Sequence, residues 1–339
     1  MAPDVFGPPH RDLGWIEFGA AAAPRDEGNP MSVMGSRLIA VALDEFRPPD
    51  EASRAMSLAL ELAQRAGATI LVVAIGKDGW MAPPDDNPFA HLVADAERTL
   101  SGRIVVRRVD VDARLVDTEC AVQSKTAPHA AGEAFVATAA GFGARLLVVA
   151  ASNELQPLEG LVGAIVGAAD VPTVVVPSGV SRIGDCPFHV VVALDGVPHT
   201  GHVAEHISEL HGWFQTSVSL LHVLHPGGGR LNGVPVLAHD RAAQMLQRSA
   251  ACLGARGVES GQIHVVVRSG PTSNVIVDHL RREQATLGVL PVVASDPGHR
   301  RPHGVTSAVL AMSHVPIVLF HAWAEAPSTS IPDAYAYRH

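Results

Sequence analysis

Two aspartates occupy matching positions in the chain and are the first candidates for binding chemistry. Asp44 ends the apolar run Leu38-Ile-Ala-Val-Ala-Leu-Asp44, and Asp195 ends His189-Val-Val-Val-Ala-Leu-Asp195, where Gly196 follows. A carboxylate at the end of a buried strand can accept hydrogen bonds from the N–H or O–H groups of a ligand. The same side chain can instead accept backbone N–H bonds of its own turn, so both interpretations stay open.

A second group of residues could hold an anion near the end of the chain. Its members are glycines, arginines and hydroxyl residues: Gly298, Arg300, Arg301, Gly304, Thr306 and Ser307. Guanidinium groups beside the start of a helix suit a phosphate, although a compact loop before a capped helix is the alternative. In the corresponding segment of the first half, Glu154 and Glu159 precede Gly160, and Leu161 follows it. Acidic and apolar groups disfavour a phosphate there.

The segment His202-Val-Ala-Glu205-His206 spells H-x-x-E-H, which is the pattern of one class of zinc peptidases. Helical periodicity places Val203 and Ile207 on the buried side, which favours a solvated helix face over a metal site. The chain has neither a Gly-x-Ser-x-Gly elbow nor a Gly-x-Gly-x-x-Gly or Walker-type loop. We therefore predict that the protein is not an enzyme and carries no metal.

Composition excludes several classes of protein. The net charge is −9 and no stretch concentrates Lys or Arg, which disfavours nucleic-acid binding. No apolar run approaches the length of a membrane-spanning helix. The three cysteines, Cys120, Cys186 and Cys252, are far apart, which is typical of reduced thiols. We expect a cytoplasmic protein that contacts neither nucleic acid nor membrane.

The elements that must position these residues occur twice. Each half opens with the strand already described and closes with a glycine, a short helical stretch, Val-Pro and an apolar strand, at Gly160–Val176 and Gly304–Phe320. Between them, apolar runs alternate with helical periodicity, and the third strands are expected near Asp112–Cys120 and Ile263–Arg268. The pattern predicts an α/β protein with two tandem, five-stranded, parallel-sheet domains of the doubly wound, Rossmann-like kind. Ligands of such sheets bind beyond the carboxyl ends of the strands.

The predicted boundaries follow from the repeat. Residues 36–177 form the first domain, 178–187 a linker and 188–322 the second domain. Residues 1–35 are rich in Gly, Pro and Ala and predict a disordered or arm-like extension, and residues 323–339 a tail.

Several phrases of the second half resemble the universal stress protein family. They are Val192-Ala-Leu-Asp195-Gly196, Leu221-His-Val-Leu-His-Pro226, Val267-Arg-Ser-Gly-Pro271 and Val315-Pro-Ile-Val-Leu319. The resemblance covers residues 188–322 and, more loosely, 37–177, so it points to the tandem type of that family. It implies pairing through the fifth strand, here as a pseudo-dimer within the chain and as a homodimer between chains.

Some members of that family bind ATP, with the first-strand aspartate near the adenine and a loop Gly-x2-Gly-x9-Gly-Ser/Thr at the phosphates. Asp44 and Asp195 match the first feature, but neither loop matches the second, so the loops are degenerate. The resemblance implies a stress-response regulatory protein with an unspecified partner, in which the second domain binds a nucleotide such as ATP, or another anion. The alternatives are a scaffold without ligand in either domain and, more weakly, a slow ATPase or metallohydrolase.

Overall fold

The computed structural model describes residues 37–44, 48–76, 88–110, 126–151, 157–180, 183, 186–194, 200–224, 235–293 and 304–322. The predicted extension and tail lie outside these ranges. The described residues, from Arg37 onward, form one compact unit. None of the helices in the described ranges combines the length and apolar composition needed to cross a bilayer.

Strands and helices alternate through the first half. In order they are β1 (Leu38–Asp44), α1 (Pro49–Ala66), β2 (Thr69–Gly76), α2 (Pro88–Leu100), β3 (Ile104–Asp110), α3 (Thr126–Gly141), β4 (Leu146–Ala150), α4 (Leu161–Ala168) and β5 (Thr173–Val176). Helix α1 shows how local sequence sets these bounds. Pro49 opens its first turn, where no N–H is needed, and Gly67 ends it in the left-handed conformation at φ 63°.

The second half repeats the order. Its elements are β6 (His189–Leu194), α5 (Thr200–Phe214), β7 (Ser217–Leu224), α6 (Pro235–Ala255), β8 (Ile263–Ser269), α7 (Thr272–Arg282), β9 (Leu287–Val293), α8 (Val305–Met312) and β10 (Ile317–Ala322). A short 3-10 turn, Ser260–Gln262, precedes β8. The described elements therefore follow the predicted duplication.

All ten described strands belong to one sheet, in the order β3-β2-β1-β4-β5-β10-β9-β6-β7-β8. Within each half every neighbouring pair is parallel, and the strand order reverses beside the first strand. This is the doubly wound α/β architecture that the sequence predicts, and the predicted fold class is confirmed. Helices α1, α2, α5 and α6 cover one face of the sheet, and α3, α4, α7 and α8 cover the other.

The two halves meet at the antiparallel pair β5·β10. Val174 lies opposite Val318, Thr173 opposite Leu319, and Val175 opposite Ile317. Val174 and Val318 are equivalent residues, each two places after the proline that follows the helix. The register is therefore that of a local two-fold axis. The hydrophobic cluster on each face of the sheet contains residues of both halves.

Helix α1 also holds residues of the predicted linker. The Glu61 carboxylate accepts a hydrogen bond from the Ile183 N–H at 2.9 Å and another from Arg65 at 3.0 Å. Arg65 donates in turn to the Cys186 carbonyl at 2.9 Å, and its guanidinium lies 4.9 Å from the centre of the Phe188 ring. These contacts hold the connection between the halves against the first half.

The third strand of the first half is Ile104–Asp110, so the prediction near Asp112–Cys120, which lies outside the described residues, was misplaced. Consecutive arginines interrupt the apolar pattern of β3, and an edge strand tolerates them. Pro291 lies within β9, although proline has no N–H to donate and is rare in central strands. It is accommodated because the pairing of β9 with β6 covers only residues 287–289 and does not extend to Pro291.

Candidate functional site

The carboxyl ends of β1 and β4 form a narrow crevice in the first half. Its walls consist of small and apolar residues together with two carboxylates: Ala42, Asp44, Glu51, Ala52, Val149, Ala150, Leu161 and Val162. Asp44 is half-buried at the end of β1, and Glu51, in the first turn of α1, is 8% exposed. The cavity measures about 20 Å³. That volume holds a water molecule and is far below the roughly 300 Å³ at which small-molecule pockets begin.

The start of α4 closes this crevice. Gly160 has φ 63°, no side chain caps the helix, and Leu161 and Val162 turn inward and are buried. Arg54 reaches the end of β4, and both of its Nη atoms are engaged. It donates to Asp50 at 2.9 Å and to the Ala151 carbonyl at 3.1 Å. With two carboxylates, two apolar walls and an occupied guanidinium, the crevice disfavours an anion.

The corresponding helix of the second half starts with the same backbone and different side chains. Gly304 has φ 66°, and the Ala308 N–H donates to its carbonyl at 3.0 Å, just as Ala164 donates to Gly160 at 3.1 Å. Thr306 and Ser307 are half-buried, and Val305 is 42% exposed. Hydroxyl groups therefore occupy the first turn of α8, where the first half has Val162 and Gly163.

The structure places only part of the predicted site. It describes Asp44, Gly304, Thr306 and Ser307. Five further predicted residues lie outside the described ranges: Asp195, Gly196, Gly298, Arg300 and Arg301. Their grouping around a ligand in the second half stays a prediction.

Sequence reasoning did not single out two residues at these strand ends. Glu51 was missed because an acidic residue in the first turn of a helix is common. Its position at the crevice results from the packing of α1 in the folded structure. His222 lies at the carboxyl end of β7, beside Leu194, and its Nδ1–H donates to the Leu194 carbonyl at 2.7 Å. The equivalent of His222 in β2 is the buried Ala74. The phrase that carried the family resemblance contains this histidine.

The H-x-x-E-H segment lies within α5 and its three polar residues do not converge. Glu205 is exposed, whereas the ring of His206 packs against Phe320 of β10 with the ring centres 4.6 Å apart. Among the residues that the structure describes, no three His, Cys, Asp or Glu side chains lie where they could share a metal ion. The segment therefore contributes to packing between a helix and the central strands.

The fold defines a tandem α/β protein with two doubly wound halves. Residues 188–321 match the family model described as the universal stress protein family. The resemblance predicted from the sequence is thus confirmed for the second half of the chain.

Solved structures of similar fold extend the comparison to most of the chain. A universal stress protein from Archaeoglobus fulgidus DSM 4304 is 13% identical and has a TM-score of 0.52, over 84% of this chain and 96% of that one. A Pseudomonas aeruginosa UCBPP-PA14 protein named for the same family is 12% identical with a TM-score of 0.52, over 86% and 95% of the two chains. At this identity the likeness concerns the fold. No curated protein matches the chain in sequence.

Proposed function

We propose that this protein is a stress-response regulator whose second half binds a nucleotide or another anionic ligand and whose first half has lost that capacity. The observation that carries the proposal is the contrast between two helix starts on the same backbone. Leu161 and Val162 are buried at the start of α4, and Thr306 and Ser307 are half-buried at the start of α8.

Electrostatics supports the assignment of roles. In the first half Asp44 and Glu51 line the crevice, so an incoming phosphate would face two carboxylates, and the Nη atoms of Arg54, which lies beside them, already donate to Asp50 and Ala151. The second half places two hydroxyls near the N–H groups of a helix start, and its sequence supplies Arg300 and Arg301 shortly before. Arginine forks and helix N-terminal N–H groups are the usual partners of phosphate. ATP is the ligand that the family resemblance makes the first to test.

The second candidate is a scaffold that binds no small ligand in either half. The continuous ten-stranded sheet favours it, because both hydrophobic clusters cross from one half to the other. Such a body presents fixed surfaces to a regulatory partner without needing a ligand. In both candidates the protein acts by binding rather than by catalysis.

Calorimetric titration of the full-length protein with ATP separates the two candidates. We expect measurable binding by the parent and at least a roughly ten-fold loss in a variant carrying Arg300→Ala and Arg301→Ala, since charge-assisted bonds to phosphate are lost. Thr306→Val, which keeps the shape and removes the hydroxyl, should weaken binding less.

Asp44→Asn in the first half is the matched control and should leave the affinity unchanged. If the heat of binding depends on Asp44 and not on the two arginines, the ligand binds in the first half, and our proposal is wrong. A parent protein that gives no heat with ATP, and that carries no nucleotide through purification, would favour the scaffold.

A further inference from the structure

His206 lies at the junction of the two halves, where α5 packs on the central strands. Its ring is 4.6 Å from the ring of Phe320, with 52° between the planes. Phe320 belongs to β10, the strand that pairs with β5 of the first half. The Nδ1 atom of His206 is buried and has no hydrogen-bond partner among the described residues. The site therefore accommodates a neutral ring, and the part of the chain that the structure describes offers no acceptor for an N–H at Nδ1.

Ionisable groups surround this histidine on two elements. His202, Glu205 and Glu209 lie on α5 itself, and Arg145 precedes β4 in the first half. The two glutamates favour the protonated ring, and His202 and Arg145 oppose it. Burial is nevertheless the largest effect and lowers the pKa of His206 below its ordinary value. Desolvation wins because the ring packs against an aromatic side chain, while Glu205 remains in solvent.

The same helix is tied to the first half by polar contacts at two places. Arg145 donates to the Glu209 carboxylate at 2.9 Å. Arg37, just before β1, donates to the Gly212 carbonyl at 2.6 Å and to the Trp213 carbonyl at 3.3 Å. Whatever displaces α5 from β10 therefore also disturbs the contacts between the halves.

We propose that His206 is a proton-sensitive contact of the junction: its neutral ring holds α5 on β10, and protonation loosens the packing between the two halves. A cation at this position would bury a charge against Phe320 and leave a second N–H without an acceptor. The unfolded or detached helix carries no such penalty. The junction is thus tight at neutral pH and weakens as the pH falls below the ordinary pKa of histidine, about 6.5.

Amide hydrogen exchange of the full-length protein, followed from about pH 7.5 to about pH 5.5 and corrected for the intrinsic rate, tests the proposal. In the parent we expect protection of α5, β5 and β10 to fall several-fold at the acid end. His206→Phe keeps a ring against Phe320 and cannot be protonated, so its junction should keep its protection. His206→Gln serves as a second variant that does not titrate in this range.

His202→Gln, one turn earlier on the same helix, is the matched control and should retain the response of the parent. Unchanged protection of the parent junction at acid pH would overturn the proposal. So would an acid response that persists in both His206 variants, because the sensitive group would then lie elsewhere. His189→Gln and His279→Gln would identify that group, since burial lowers the pKa of both histidines as well.

Discussion

Helices α4 and α8 occupy equivalent positions in the two repeats and differ in the residues that they bury. In α4 the apolar residues Leu161, Val162, Ala164, Ile165 and Val166 are all buried. In α8 only Val309 and Leu310 are buried, and Val305 and Met312 are each 42% exposed. The backbone at the two helix starts is nevertheless the same, with a glycine at φ 63° or 66°.

This difference shows that two copies of a fold can keep the same backbone while their side chains at the strand ends diverge. In the first half Leu161 and Val162 are buried beside the strand ends, which adds to the core, and the cavity that they line measures about 20 Å³. The second half has polar side chains at the equivalent places. The comparison makes the second half the one in which ligand binding is to be sought.

The largest expected loss of unfolding free energy is at the β5·β10 pair, where equivalent residues of the two halves meet. Val174→Asp or Val318→Asp would bury a carboxylate in the central strand pair, since both valines are fully buried. We expect each variant to lose more than about 3 kcal/mol of unfolding free energy, or to be insoluble. Denaturant unfolding, with Val→Ala at the same positions as controls, measures it. If the two aspartate variants differ widely, the two-fold equivalence of the junction does not extend to its energetics.

A pair of substitutions at one equivalent position should separate the halves. Gly163 and Ser307 each lie three residues after the glycine that precedes the helix. A Cβ at Gly163 would collide with the Leu158 carbonyl oxygen, so Gly163→Ala should cost about 1–3 kcal/mol despite the better helix propensity of alanine. Ser307→Ala should change stability by less than about 1 kcal/mol. Thermal unfolding of both variants tests this; equal losses would contradict the difference in packing.

A smaller effect on the unfolding free energy depends on pH and concerns a buried histidine of the second half. His279 of α7 is 3% exposed, and burial lowers its pKa below the ordinary value. Folding then favours the neutral ring, so its stabilising effect is complete above about pH 6.5 and is lost as the pH falls below that value. His279→Leu should reduce the loss of unfolding free energy between about pH 7 and about pH 5.

Urea unfolding at several pH values measures the slope for His279→Leu. A variant at His279 with the full slope of the parent would exclude this histidine as a source of acid sensitivity.

The smallest effect is expected at the ion pair between the halves. The side chains of Arg145 and Glu209 are 61% and 25% exposed, so water and salt screen their attraction. Arg145→Gln should lower the unfolding free energy by at most about 1 kcal/mol, and less in high salt. Chemical unfolding at low and high salt checks this. A loss above about 2 kcal/mol would show that the pair, rather than the apolar contacts, holds α5 in place.

Much of the fold could be predicted because its signal is local and repeated. Apolar runs such as Thr69–Ile75 mark buried parallel strands, and the repeated Gly-to-Pro phrase fixes the end of each half. The position of β3 was not predicted, because two arginines follow its short apolar run Ile104–Val106. The opposite edge strand, β8, contains three consecutive valines and was predicted. The pairing of β5 with β10 followed from the family resemblance and not from periodicity.

The candidate site was predictable only in part. Asp44 could be identified because it ends an apolar strand. Glu51 lines the same crevice only because α1 packs beside β1, and no short sequence pattern predicts that packing. His206 illustrates the reverse case. Its pattern resembles a metal site, whereas its environment is set by Phe320, more than a hundred residues away in the chain. Contacts between distant segments decide both residues.

The central strand pair has a consequence for how this protein can change over time. In a symmetric dimer of identical chains, every residue at the two-fold interface occurs twice, so each substitution must fit against its own copy. Here the equivalent pairs already differ: Thr173 faces Leu319, whereas Val175 faces Ile317. Because both strands are written into one gene, each side accumulates substitutions separately. A substitution on either strand therefore has to fit only the residue opposite it, and the two halves can diverge independently.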